Sequence, residues 1–119
     1  MNAIIGFTLA VVRMADMLEF YSRVFGIVFE SFDDFGTTLY RGNWGNLDIL
    51  FCPADVANNK ATQNRHQLEV EVQDIHTAIA LIKILKGELM GSIHETEAAL
   101  SIGCYDPDRN SIVLKQRTR

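Results

Sequence analysis

The sequence predicts an α+β fold made of two βαβββ modules. Three observations carry the prediction: short runs alternate large apolar with small or polar residues, two helical stripes each follow the first run of a set, and the whole order occurs twice. Over residues 4–12, Ile5, Phe7, Leu9 and Val11 alternate with Gly6, Thr8, Ala10 and Val12, so a strand there collects its large groups on one face. Over residues 16–25, Met17, Phe20, Tyr21 and Val24 fall at helical spacing, with Asp16 as the expected N-cap and Gly26 placed to end the helix. Strand-like runs at 27–31, 37–41 and 47–51 follow, punctuated by Asp33-Asp34, Gly36, Gly42 and a turn cluster at 43–46.

Residues 53–65 are polar, rich in Asn and Ala and without period, and read as a connector. The pattern then restarts. Leu68, Val70 and Val72 alternate with Gln67, Glu69 and Glu71; Asp74 is the expected cap of a helix with the stripe Ile75, Ala78, Ile79, Ile82 and Leu85; Gly87 is expected to close it. Runs at 88–93, 99–105 and 111–115 complete the second set. A shift of 61 residues lays Phe7, Leu9 and Val11 on Leu68, Val70 and Val72, and Gly26 on Gly87, the pattern of an internal duplication. The expected organisation is one domain over residues 1–119, with module one at 1–52, the connector at 53–65 and module two at 66–119.

Composition narrows the function classes. The chain has 119 residues, 48% of them apolar, so it is long enough to bury a core without disulfides or a structural metal. A formal charge of −4 and the lack of a basic run argue against a nucleic-acid partner. The first apolar stretch is interrupted by Gly6 and Thr8 and ends at Arg13, unlike a secretory leader, and nothing reaches membrane-span length. A cytoplasmic protein is expected, with no membrane partner. Cys52 and Cys104 lie in apolar runs without CxxC spacing and read as packed, reduced thiols.

Two motifs carry a family resemblance. Phe20-Tyr21 followed by Val24-Phe25-Gly26 resembles the FYxxvLG helix end of the vicinal-oxygen-chelate superfamily, and Asp106-Pro107-Asp108-Arg109-Asn110 before Ile112-Val113-Leu114 is similar to its DPDGN turn and last strand. The resemblance implies the fold shared by glyoxalases, bleomycin resistance proteins and extradiol dioxygenases: a curved mixed sheet with helices on the convex face. Arg109 stands where the family has a glycine that often takes positive φ, which implies mild strain or a shifted turn. Arg13 stands where the family commonly has Asp before the helix.

Enzymes of the superfamily hold a divalent metal through four strand residues, usually His, Gln or Glu, and the resemblance places these positions on Gly6, Gln67, Asp48 or Ile49, and Val113. Gly6 and Val113 cannot ligate, so no metal and no cofactor is expected. Gln67 has an amide oxygen to offer, while adjacent His66 points to the other face of a regular strand. Alternation favours Asp48 over Ile49, because Leu47, Ile49 and Phe51 make the better helix-facing set.

The expected ligand-binding residues lie on the face turned away from the helices: Gln67, Glu69 and Glu71, with Asp48 from the other module and Lys115 on the last strand. Three carboxylates, Asp48, Glu69 and Glu71, are expected to share one concavity and to attract cations. Tyr40 and Trp44, with Phe35 nearby, are candidate walls for a planar group, or else packing at the sheet edge. An antiparallel sheet also permits that face to be plain solvated surface. His94-Glu95-Thr96-Glu97 lacks the second His of HExxH and reads as a hairpin turn, His76 reads as a surface residue, and no catalytic residue is identified. The function expected is binding of a small-molecule ligand in a concave cleft without the family metal, in a homodimer. The alternative is a metal-dependent lyase or dioxygenase-like enzyme recruiting its ion through Gln67, Asp48 and a neighbouring carboxylate. A third reading is an interaction module that keeps only the scaffold.

Overall fold

The structure, a computed structural model, describes residues 3–118. The chain runs β1 (Gly6–Val11), α1 (Met14–Phe25), β2 (Glu30–Asp34), β3 (Thr37–Trp44), β4 (Leu47–Pro53), β5 (Leu68–Glu71), α2 (Ile75–Ile84), β6 (Glu88–Leu89), β7 (His94–Glu95), β8 (Ala99–Tyr105) and β9 (Ser111–Arg117). These form two mixed sheets, one from each half, ordered β1-β4-β3-β2 and β5-β9-β8-β6, with β7 also pairing β8. The parallel pairs are β1 with β4 and β5 with β9, and the other pairings are antiparallel. The α+β architecture of two βαβββ modules is therefore present, with two sheets rather than one continuous sheet.

Each sheet turns one face to a common core. Met17, Phe20 and Tyr21 of α1 and Ile75, Ala78 and Ile82 of α2 join Ile49, Phe51, Ile102, Cys104, Ile112 and Leu114 in a single buried cluster. Tyr21 meets Phe51 and Trp44 edge-on, with ring centroids 5.2 and 5.8 Å apart, a geometry that suits the ring quadrupoles. Val11, Phe7 and Leu9 of β1 and Val70 and Val72 at β5 pack on this cluster, as their alternation predicts.

Several element boundaries differ from the sequence reading, each for a local reason. Asp16 is not the cap of α1. The helix begins at Met14 with Arg13 at the N-cap and no side-chain cap bond of its own, and Asp16 instead pairs with Lys86 at 2.9 Å. The N–H groups of Val12 and Arg13 donate to the carboxylate of Asp108, at 2.7 and 3.0 Å, so the anionic group at this helix start comes from the other half of the chain. Asp74 does cap α2, accepting from the N–H groups of His76 and Thr77. Beyond α2, however, Lys86 takes the left-handed conformation (φ 68°), and Gly87 serves close packing: a Cβ there would lie 2.7–2.8 Å from Ile82, Phe20 and the Tyr105 carbonyl. Gly26 and Gly87, aligned in sequence, thus do different work.

Strand β2 starts at Glu30 rather than Ile27, because Ile27 is buried and the passing chain leans on Gly42, where a Cβ would sit 2.7 Å from the Val28 carbonyl oxygen. The following turn falls on Phe35-Gly36, both at positive φ, the two-residue hairpin whose twist matches the strands it joins. His94 and Glu95 belong to a strand, with the turn moved to residues 96–99, where Thr96 Oγ1 accepts from the N–H groups of Ala98 and Ala99.

The turn between β8 and β9 ties the halves together. Asp106 is fully buried and accepts the Tyr21 hydroxyl at 2.8 Å, the Asn110 side-chain amide at 2.9 Å and the N–H groups of Asp108 and Asn110, both at 2.9 Å. Burial outweighs these donors and holds its carboxyl above the usual range, while burial and then Asp106 raise the Tyr21 phenol well above its own. Arg109 carries the positive φ (71°) expected at this site, and its guanidinium bonds Glu88 at 2.8 Å and lies over the Tyr105 ring.

Replacing Asp106 by Ala is expected to destabilise the protein by about 2–4 kcal/mol, because it orphans the buried Tyr21 hydroxyl, and Tyr21→Phe by about 1 kcal/mol. Asp106→Asn removes the titrating group, at the cost of setting an amide NH2 against a donor, so the readout is how the difference from wild type changes with pH. A carboxyl raised on folding stabilises fully below its unfolded pKa of about 4, and that contribution is lost as pH rises through the folded value. Urea unfolding at a series of pH values should show wild type gaining on Asp106→Asn as pH falls.

Candidate functional site

Because the helices and core cover one face of each sheet, chemistry is left to the other face, and strand register decides which residues share it. In the first sheet Gly6 pairs with Asp48 and Thr8 with Leu50, while Arg41 lies between Leu50 on one side and Glu30 on the other, and Asn43 faces Asp48. With Phe32, these residues line an open cavity of about 850 Å³. Its composition is mixed: Phe32 and Leu50 are apolar, Thr8 and Asn43 can hydrogen-bond, and Glu30, Asp48 and Arg41 are charged. The guanidinium carbon of Arg41 stands 4.5 Å from the centre of the Phe32 ring.

The open face of the second sheet is a ladder of ion pairs. Glu69 meets Lys115 at 3.1 Å, and Glu71 meets Arg117 through two bonds of 2.7 and 2.9 Å. The hydrogen bond from Arg117 holds the Glu71 carboxyl below its usual range. Gln67 donates its side-chain amide to Ser111 Oγ at 3.2 Å.

The predicted site residues therefore separate into three places. Asp48 lies in the first-sheet cavity. Gln67, Glu69, Glu71 and Lys115 gather at the second sheet, where the two glutamates are neutralised across the strands. Tyr40 and Trp44 are on neither open face: both pack against the helix-side cluster, with Trp44 4.8 Å from Phe25 and 6.2 Å from Phe7 between ring centroids. The three carboxylates do not form one cluster, since Asp48 belongs to a different sheet from Glu69 and Glu71. Sequence reasoning missed Thr8, Glu30, Phe32, Arg41 and Asn43. The signal is the same alternation that locates Glu69 and Glu71: Thr8, Glu30 and Arg41 lie within the predicted strands, while Phe32 and Asn43 fall just beyond the predicted runs at 27–31 and 37–41.

The metal positions of the resembling family do not fit an ion here. Gly6 offers no donor, and even a methyl group at Gly6 would lie 2.6 Å from the Asp48 carbonyl oxygen. Val113 offers none either, and Asp48 and Gln67 lie in separate sheets. Among the described residues no group of three or more His, Cys, Asp or Glu side chains could hold a metal. The Cys104 thiol, pushed up to about 12 by burial and by Asp106, belongs to the core and not to the cavity.

No family model and no curated protein matches the sequence. Solved structures do match. The chain is similar to the genomically encoded fosfomycin resistance protein FosX from Listeria monocytogenes, with TM-score 0.77 and 17% identity over 99% of this chain and 95% of that one. It is also similar to a glyoxalase-related enzyme from Fulvimarina pelagi, with TM-score 0.74 and 13% identity over 98% and 88%. TnmS3, an antibiotic binding protein from Streptomyces sp. CB03234, matches with TM-score 0.72 and 14% identity over 99% and 98%. The fold is that of the glyoxalase/bleomycin resistance/dioxygenase proteins, the vicinal-oxygen-chelate architecture to which the two motifs pointed. At these identities the likeness shows the fold alone.

Adding back a side chain at the first metal position should fail for steric reasons. Gly6→Ala is expected to cost about 1–3 kcal/mol, as overpacking does, read as a lower melting temperature with an unchanged far-ultraviolet spectrum.

Proposed function

We propose that this chain binds a small organic molecule on the open face of its first sheet, as part of a homodimer and without a resident metal. The observation that carries the reading is the cavity itself, which joins apolar floor to convergent polar groups in the way ligand sites do. The loss of donors at Gly6 and Val113 favours binding over metal chemistry. TnmS3, a protein of the same fold that binds an antibiotic, shows that the architecture serves this purpose elsewhere.

Dimerisation is supported by what is left uncovered. Strands β1 and β5 are sheet edges, Ile4 and Ile5 beside β1 are 80% and 77% exposed, and both open faces lack a covering layer. The radius of gyration is 14.8 Å, against about 13.5 Å for a compact chain of this length, with extents of 49 × 38 × 24 Å. A second copy closing on these surfaces would bury them and bring a further open face to the cavity. No helix among the described residues is long and apolar enough to cross a membrane. Two buried free cysteines suit the reducing cytoplasm.

Solution scattering is expected to report twice the chain mass of 13.4 kDa. Chelator treatment is expected to leave the melting temperature and ligand response unchanged. About one transition-metal ion per chain, lost on Gln67→Ala, would establish the metal-dependent reading in its place.

A further inference from the structure

We propose that Arg41 anchors the anionic group of the ligand, and that the first-sheet cavity takes small monocarboxylic acids with a flat apolar body. The inference rests on the small-molecule reading above and specifies the ligand class.

Arg41 differs from the cations of the other open face. Lys115 and Arg117 are each held by a glutamate. Arg41 has Glu30 directly across the strand pair, yet among the described residues it makes neither an ion pair nor a side-chain hydrogen bond. It lies instead against the Phe32 ring, 4.5 Å from its centre. Stacking immobilises a guanidinium without using its N–H groups, which all lie in its plane, so the donor fork stays available to a planar bidentate acceptor. A carboxylate is that acceptor.

The surroundings set the rest of the ligand. Phe32 and Leu50 offer apolar surface beside Arg41, and Gly6 leaves the neighbouring floor without a side chain. Thr8 and Asn43 supply hydrogen bonds to ring substituents. Glu30 lies across the strand pair from Arg41 and Asp48 lines the same cavity, so one negative charge can be met at Arg41 while a second would face carboxylates. The cavity thus favours a monoanion held at Arg41 over a dianion.

The test titrates 15N-labelled protein with benzoate, phenylacetate and indole-3-acetate and with their primary amides, following backbone resonances. The acids should move Thr8, Arg41, Asn43 and Leu50 at millimolar concentration, and the amides should bind about tenfold more weakly or worse. Arg41→Gln should erase that preference, Arg41→Lys should keep part of it, and Glu30→Gln should strengthen acid binding. Should Arg41→Gln not fold, which its own spectrum reports, the acid and amide comparison on wild type and Arg41→Lys decides. Acids and amides binding alike would overturn the anchor and leave the small-molecule reading standing. No movement on this face with any probe, acid or amide, would overturn both.

Discussion

The buried carboxylate of Asp106 is the point on which the two halves of this protein depend. It sits in the last turn of the second half and accepts a hydroxyl from the first helix of the first half, while Asp108, two residues on, receives the N–H groups that begin that helix. A single five-residue turn therefore orders its own backbone, satisfies the one polar atom of a tyrosine buried among aromatic rings, and supplies the negative charge at a helix start. The strain of a left-handed arginine is tolerated there because both ends of the turn are held by Asp106 and the side chain is engaged by Glu88 and Tyr105.

With the halves joined through their helices, the hydrophobic core forms where the two helices meet one face of each sheet, and each sheet has that face used up. The remaining faces and the edges at β1 and β5 are consequences of that arrangement. Glycines take part where backbone approaches backbone, at Gly6 against β4 and at Gly42 under the chain entering β2. Gly6 stands where the resembling enzymes carry a metal ligand, and the approach of β4 leaves no room there for a side chain.

The two open faces have opposite electrostatic character. On the second sheet, Glu69 and Glu71 find their cations one strand away, so the face is charged but internally satisfied and presents little unspent field. On the first sheet, the cross-strand carboxylate and guanidinium do not pair, and aromatic stacking holds the arginine in reserve. The unpaired charge therefore lies on the half of the molecule whose motifs said least about it.

Sequence alone determined what is periodic or local. The duplicated order, the inward faces of β1 and β5, the Asp74 cap, the left-handed Gly26 and the strained Arg109 were legible because alternation, capping and turn chemistry act within a few residues. The side of β4 that bears Asp48 was legible for the same reason. What only the tertiary structure decided is whatever needs a partner distant in the chain: Asp108 rather than Asp16 at the start of α1, Gly87 as a packing position, Trp44 and Tyr40 drawn to the helix side, and Lys115 and Arg117 quenching two glutamates. The parallel pairs join residues more than forty apart, and Arg41 lies inside a predicted strand while Phe32 and Asn43 do not, because which residues share a cavity depends on register and register is set across strands rather than along them.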